Sequence, residues 1–177
     1  MNLPNKLSII RALCIPVITV LLYMDNSICR LIAGIIFIIA CLTDFIDGHI
    51  ARKYHLVTDF GKFIDPVADK LLVLTAFIML IHLHQMDAWI VILILCRELS
   101  VDGLRLVAVT QGKVIAAGPL GKWKTTFQMV LIAIMILFNL SVYQFWPVTV
   151  LAMIVVALTL ISGVDYFWKN RSVLSVK

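Results

Sequence analysis

The sequence predicts an all-α, polytopic membrane protein: a bundle of six transmembrane helices with a short N-terminal interfacial segment. Of the 177 residues, 62% are hydrophobic and 14% are charged. The mean hydropathy is +1.05, which is more apolar than a soluble domain requires. Apolar runs of membrane-spanning length occur six times, at 7–24, 31–51, 66–84, 88–109, 123–141 and 147–167. We expect one integral membrane domain over residues 1–177.

The first helix is expected to follow an interfacial segment at residues 2–11. Pro4 would fix the direction in which the chain enters this segment, and Asn5 would cap the helix before Lys6. No basic region or cleavage site marks a signal peptide, so we expect this helix to be retained. Pro16 is expected to bend it. Arg11 has two interpretations: it helps to close a functional site, or it anchors the helix by extending to the membrane surface.

The distribution of basic residues predicts the orientation. An even number of helices puts both termini on one side, and basic residues collect on or near that side: Lys6, Arg11, Arg52, Lys53, Lys62, Lys113, Lys122, Lys124, Lys169, Arg171 and Lys177. Arg30 falls opposite, and the connections 82–88 and 139–147 contain no Lys or Arg. This asymmetry predicts a protein of the cytoplasmic membrane with both termini in the cytoplasm. The net charge of +5 therefore indicates orientation and anionic lipid, not nucleic acid.

Two pairs of aspartates stand where the second helix ends and the third begins. We expect a polar turn over 53–61 and Pro66 in the first turn of the third helix, with Asp65 at its start and Asp69 one turn in. Asp44 and Asp47 are spaced i,i+3, and Asp65 and Asp69 are spaced i,i+4, so each pair lies on one face of a helix. An ionised Asp at bilayer depth costs about 2.5–3.5 kcal/mol, so the four carboxylates require cations. Ligands that are all oxygen suit Mg²⁺ or Mn²⁺, and two ions could be shared. Alternatively, the acids are helix-end charges that pair with nearby basic residues: Arg52, Lys53 and Lys62.

The same stretch resembles the signature of the CDP-alcohol phosphotransferases, D-x-x-D-G-x-x-A-R-x8-G-x-x-x-D-x-x-x-D. Every specified position is filled: Asp44, Asp47, Gly48, Ala51, Arg52, Gly61, Asp65 and Asp69. The resemblance implies an enzyme that transfers a phosphoryl group from a cytidine diphosphate ester to an alcohol, with two cations held by the four aspartates. It also implies that Asp69 is the base for the attacking hydroxyl and that the protein is a homodimer.

The residues between the aspartates suit a CDP-lipid. Gly48 and Gly61 have no side chain, so backbone can approach the nucleotide closely, and Ala51 is small for the same reason. The guanidinium of Arg52 matches a phosphate. We therefore expect the CDP-lipid to be bound by Asp47, Gly48, Ala51, Arg52 and Gly61.

Four charges interrupt the fourth apolar run. Arg97 and Arg105 are eight residues apart and so lie on roughly one face, while Glu98 and Asp102 form an i,i+4 pair beside them. These charges must face an interior cavity. Either the arginines bind an anionic acceptor, or the charges pair internally and only assemble the bundle.

The segments 97–105 and 120–125 resemble the phosphatidylglycerophosphate-forming branch of the family. This implies CDP-diacylglycerol and sn-glycerol 3-phosphate as substrates, with the acceptor phosphate held by Arg97, Arg105 and Lys122. Asp102 departs from the branch, which often has a small or hydroxylated residue there. Inositol phosphate, serine or phosphatidylglycerol are alternative acceptors. An ion or lipid transporter and a noncatalytic assembly protein are alternatives of another class.

Overall fold

The structure is a computed structural model that describes residues 3–24, 26–53, 59–113, 115–116 and 118–173, without the side chains of 3–6, 44–53, 59–60 and 62–63. The described part contains no strand. It forms six helices, which we number α1 (Leu3–Tyr23), α2 (Ser27–Lys53), α3 (Asp59–His82), α4 (Ala88–Thr110), α5 (Pro119–Phe138) and α6 (Trp146–Lys169), and a 3-10 turn at Arg171–Val173. The predicted all-α class and the six helices are confirmed.

The expected interfacial segment is not separate from the first helix. Helix α1 begins at Leu3 and continues without a break to Tyr23, with Pro16 inside it. Asn5 lies within the helix, so its predicted role as a cap is wrong. Pro4 falls in the first turn, where its missing N–H costs no helical hydrogen bond, and nothing between it and Arg11 interrupts the helix.

Helix α3 begins earlier than its sequence predicts. A polar turn was expected over 53–61, with Asp65 at the start of the helix, but α3 begins at Asp59 and contains Pro66. A proline inside a helix loses one hydrogen bond and clashes with the preceding turn, at a cost of about 3 kcal/mol. The placement of proline at the start of a helix is therefore only a preference, and α3 accommodates Pro66 in its interior. Asp65 and Asp69 consequently lie well inside α3.

The helices pack around a core of large apolar side chains. Helix α1 contacts α2 and α3, α5 contacts α2, α3 and α6, and α4 contacts α3 and α6. The core side chains are almost fully buried and include Phe37, Phe77, Leu131, Ile132 and Met135. Helices α2 and α5 approach closely at Gly34, where an added Cβ would lie 2.6 Å from Leu137 Cδ2.

The connections after α3 and α5 meet at one end of the bundle. The Gln85 side chain donates a hydrogen bond to that of Asn139, and the Val142 N–H donates to the Gln85 carbonyl at 3.0 Å. Tyr143 donates a hydrogen bond to Asp87. Because consecutive helices run in opposite directions, the end of α2 and the starts of α3 and α5 lie at the other end.

The outer surface of the bundle is apolar. Two helices of the described chain, α5 and α6, are long and apolar enough to cross a membrane, and Leu7–Tyr23 and Ser27–Thr43 form shorter apolar stretches. Large apolar side chains are more than half exposed on each of the six helices, including Leu13, Ile39, Ile78, Leu99, Phe138 and Val164. Such surface is typical of a protein in contact with membrane.

We expect Gly34→Ala to lower the free energy of unfolding by about 1–3 kcal/mol, because the new methyl group overpacks the contact between α2 and α5. The matched control is Gly103→Ala, since a Cβ at Gly103 has nothing within 4 Å and alanine favours a helix. Thermal unfolding in detergent measures both. Equal melting temperatures for the two variants would contradict the close approach at Gly34.

Candidate functional site

A cavity of about 490 Å³ lies among α3, α4, α5 and α6. All four charged residues of α4 line it, as expected of charges within an apolar helix: Arg97, Glu98, Asp102 and Arg105. Two further predicted site residues, Asp69 of α3 and Lys122 of α5, line the same cavity. Carboxylate and cationic groups from three helices therefore share one space.

One motif aspartate of α3 lines this space, and the other contacts α1. Asp65 accepts a hydrogen bond from the Ser8 hydroxyl of α1, and Asp69 lies on the cavity wall. Cys41 of α2 lines the cavity as well and precedes Asp44 by three residues. The end of α2 that carries the first aspartate pair thus approaches the cavity.

Several predicted residues lie where only the backbone is described. Helix α2 contains Asp44, Asp47, Gly48, Ala51 and Arg52, but their side chains fall outside the described part of the structure. Gly61 lies in α3 and is buried. Gly61 therefore lies on the same helix as Asp65 and Asp69, and not in the polar turn expected over 53–61.

The donor set fits a hard divalent cation. Both described aspartates of the motif offer carboxylate oxygens, and Asp69 Oδ1 is buried within the protein. A buried ionised carboxylate requires a positive charge nearby, and oxygen ligands suit Mg²⁺ or Mn²⁺. Among the described side chains, no group of three residues could hold a metal ion, and the remaining two predicted ligands, Asp44 and Asp47, lie outside that set.

Arg97 occupies a space that two glycines leave open. Its Nη1 donates to Glu98 Oε1 at 3.2 Å, and its side chain is 12% exposed. A Cβ at Gly163 of α6 would lie 3.2 Å from Arg97 Cγ, and a Cβ at Gly121 of α5 would lie 3.6 Å from Nη2. The missing side chains therefore let the arginine extend between α5 and α6.

Arg105 is held by an aromatic residue. Its Nε donates to the Tyr166 hydroxyl at 3.0 Å, and its guanidinium carbon lies 5.5 Å from the centre of the Tyr166 ring. A neutral phenol orients the guanidinium without cancelling its charge. Arg105 thus remains a cation on the cavity wall.

The predicted internal pairing is realised at Glu98. This carboxylate accepts hydrogen bonds from both Arg97 and Lys124, and the side chains of Glu98 and Lys124 are only 13% and 3% exposed. Sequence reasoning did not identify Lys124 as the partner. The internal-pairing interpretation is therefore confirmed for Glu98, which joins α4 to α5. Arg105 contacts a neutral group instead, and binding of an anionic acceptor by the arginines stays a prediction.

A second ion pair crosses the cavity wall from Lys70 to Asp102. Sequence reasoning did not select Lys70, although it directly follows Asp69. Lys122 lies in the first turn of α5, at the cavity, and is exposed. The loop before this helix ends at Gly118, one turn earlier than the apolar run suggested.

Arg11 is buried, with 2% of its surface exposed, which disfavours its interpretation as an anchor that extends to the membrane surface. It lines a separate cavity of about 350 Å³ between α1 and α2, together with Thr43. This second cavity is mainly apolar, and its wall includes Leu13, Val17 and Ile36.

Comparisons with known proteins agree with the aspartate motif. Residues 1–164 match the family model described as CDP-alcohol phosphatidyltransferase. A Bacillus subtilis protein named CDP-diacylglycerol--glycerol-3-phosphate 3-phosphatidyltransferase is 43% identical over 98% of this chain and 97% of its own length. A protein of the same name from Rickettsia typhi is 43% identical over 94% of this chain and 95% of its own. A Mycobacterium tuberculosis protein named "probable phosphatidylglycerophosphate synthase" is 42% identical over 93% and 79%.

We expect Lys124→Met to destabilise the protein by about 1–3 kcal/mol, because the buried Glu98 carboxylate loses one of its two cationic partners and keeps only Arg97. The matched control is Lys169→Met, since Lys169 is 64% exposed and pairs with Asp165 at 2.8 Å; it should cost about 0–1 kcal/mol. Thermal unfolding in detergent compares the two. A Lys124 variant as stable as the control would show that the buried pair does not hold α4 and α5 together.

Proposed function

The chain belongs to the CDP-alcohol phosphatidyltransferase family, and we propose that it transfers the phosphatidyl group of CDP-diacylglycerol to sn-glycerol 3-phosphate. The products are phosphatidylglycerophosphate and CMP. The names of the relatives support this substrate pair. The structural observation that carries the proposal is the single cavity shared by the Asp69 carboxylate and the cations Arg97, Arg105 and Lys122.

The CDP-lipid is assigned to the motif at the ends of α2 and α3. Asp47, Gly48, Ala51, Arg52 and Gly61 are its proposed contacts. Two divalent cations, Mg²⁺ or Mn²⁺, when bound by Asp44, Asp47, Asp65 and Asp69, would neutralise the charge of the pyrophosphate. The Ser8 hydroxyl, which donates to Asp65, would keep this carboxylate in one orientation.

The proposed reaction is a direct displacement at phosphorus. The acceptor hydroxyl oxygen attacks the phosphorus that carries the diacylglycerol, and the bond from this phosphorus to the CMP oxygen breaks. Asp69 accepts the hydroxyl proton, and CMP leaves with the bonding electron pair. The position of Asp69 on the cavity wall supports its role as the base.

The acceptor phosphate is assigned to the opposite wall of the cavity. Glycerol 3-phosphate is a small dianion, so it needs cations that are separate from the carboxylates of the motif. Arg97 and Arg105 offer planar pairs of N–H donors, and Lys122 adds a point charge at the start of α5. The neutral partner of Arg105, Tyr166, leaves this guanidinium positive for a phosphate.

We place all six helices across the cytoplasmic membrane, as one domain that works as a homodimer with its termini and cavity on the cytoplasmic side. Exposed apolar side chains on the outer surface support this arrangement. The four charges of α4 and the neighbouring Asp69 and Lys70 of α3 line the cavity, so these charges can lie within the membrane without facing lipid. The basic residues near the cavity end support the orientation.

The experiment that tests the function is CMP release by purified protein given CDP-diacylglycerol and one acceptor at a time: glycerol 3-phosphate, inositol phosphate, serine or phosphatidylglycerol. We expect release with glycerol 3-phosphate only, and reversible loss in excess chelator. Asp69→Asn should lower turnover by about two to four orders of magnitude, as expected for loss of a general base. Asp87→Asn, at the other end of the bundle, is the control. No CMP with any acceptor would instead favour a transporter.

We expect Arg105→Lys to raise the KM for glycerol 3-phosphate about tenfold, equivalent to about 1.4 kcal/mol, because a lysine cannot replace a bidentate guanidinium contact. The KM for CDP-diacylglycerol should change little. Arg171→Lys, at an exposed arginine outside the cavity, is the matched control. Steady-state kinetics with each substrate varied, together with a melting curve, makes the comparison. An unchanged acceptor KM in a well-folded Arg105→Lys variant would remove this residue from the site.

A further inference from the structure

The ion pair between Lys70 and Asp102 lies among the groups assigned to the acceptor. Lys70 directly follows Asp69 on α3, and Asp102 stands between Arg97 and Arg105 on α4. Both members of the pair line the 490 Å³ cavity. Their side chains are 30% and 40% exposed, so water reaches them. The lysine nearest the proposed base is therefore held by a carboxylate on the acceptor side.

This pair differs from the buried pair of the same cavity. Glu98 and Lys124 are 13% and 3% exposed, and separating them would leave the buried Lys124 ammonium without its carboxylate and Glu98 with Arg97 alone. A partly exposed pair contributes little to stability, because water solvates both groups when they separate. The contact between Lys70 and Asp102 can therefore open while the bundle remains intact.

An arriving phosphate competes with Asp102 for the same lysine. A phosphate dianion carries more charge than a carboxylate and forms strong charge-assisted hydrogen bonds with ammonium groups. Asp102 also repels an anion that approaches Arg105, which lies three residues away on the same helix. Both effects weaken the binding of an anionic ligand as long as Asp102 is ionised and close to the cations.

We propose that Asp102 is an internal competitor of the acceptor: it holds Lys70 in the empty cavity and releases it to the acceptor phosphate. Lys70 is thereby a further phosphate contact, beside Arg97, Arg105 and Lys122. The affinity for the phosphorylated acceptor is set by the exchange of partners at Lys70. This inference rests on the proposed function, because that function supplies the phosphorylated alcohol.

The test is calorimetric binding of glycerol 3-phosphate to purified variants in detergent. Asp102→Asn should lower the Kd about threefold to fivefold, the size expected for a partly exposed ion pair, and Lys70→Met should raise it. In the double variant, the Asp102 substitution should lose most of its effect, because the lysine that it frees is missing. Asp102→Ser serves as a second variant, and melting curves show that each protein is folded.

Asp165→Asn is the matched control, since Asp165 also lines the cavity but pairs with Lys169. It should change the Kd less than Asp102→Asn does, because Asp165 does not hold Lys70. Three results would overturn the inference: an unchanged Kd in folded Asp102→Asn and Asp102→Ser, an Asp102 effect that persists in full without Lys70, or no binding of glycerol 3-phosphate by any variant.

The CMP assay separates this inference from the proposed function. CMP release by the unmodified protein, with a Kd that does not respond to Asp102, would overturn the competition and leave the function in place. Tighter binding in Asp102→Asn that depends on Lys70, without CMP release from CDP-diacylglycerol, would support the competition at an anion site and contradict the proposed function.

Discussion

The ion pair between Glu98 and Lys124 is the interaction on which the arrangement of the bundle depends. Each charge alone would cost several kcal/mol on removal from water, and both side chains are almost fully buried. Helices α4 and α5 must therefore be aligned along the bundle axis so that these two groups meet. Arg97 adds a second cation to the same carboxylate and extends toward Gly163 of α6. One buried carboxylate thus joins α4 to α5 and pairs with the arginine that packs beside α6.

The same constraint creates the polar cavity. Charged side chains on α3 and α4 cannot face a surface covered with exposed Leu, Ile and Val side chains, so they face each other across a shared space. Asp69 lines this space from α3, and Arg97 and Arg105 line it from α4. The arrangement suits the two proposed reactants, because the cations proposed to bind one phosphate come from a different helix than the carboxylate proposed to hold a metal ion near the other. The second cavity, beside Arg11, is mainly apolar and offers no comparable set of opposed charges.

Much of the fold was predictable, because hydropathy and periodicity are local properties. The runs of apolar residues identified six helices, and charges in the fourth run indicated an interior cavity. The errors occurred where local signals are weak. Pro4 and Pro66 suggested helix boundaries, but α1 includes the expected interfacial segment and α3 begins at Asp59. A proline restricts its own turn and the residue before it, so it does not decide how far a helix extends in either direction.

The sequence by itself determined the helical class and the family, and it supplied the residues proposed to hold metal ions, because the spacing of the aspartates along α2 and α3 is a local pattern. Only the tertiary structure decided which charges meet. Lys70 and Asp102 are 32 residues apart, Lys124 and Glu98 are 26 apart, and Arg105 and Tyr166 are 61 apart. Helical periodicity gives the face on which each residue lies. The partner of that residue depends on how another helix is rotated and where it lies along the bundle axis. Packing of the whole bundle sets this rotation and position, so the sequence of a single helix does not specify them.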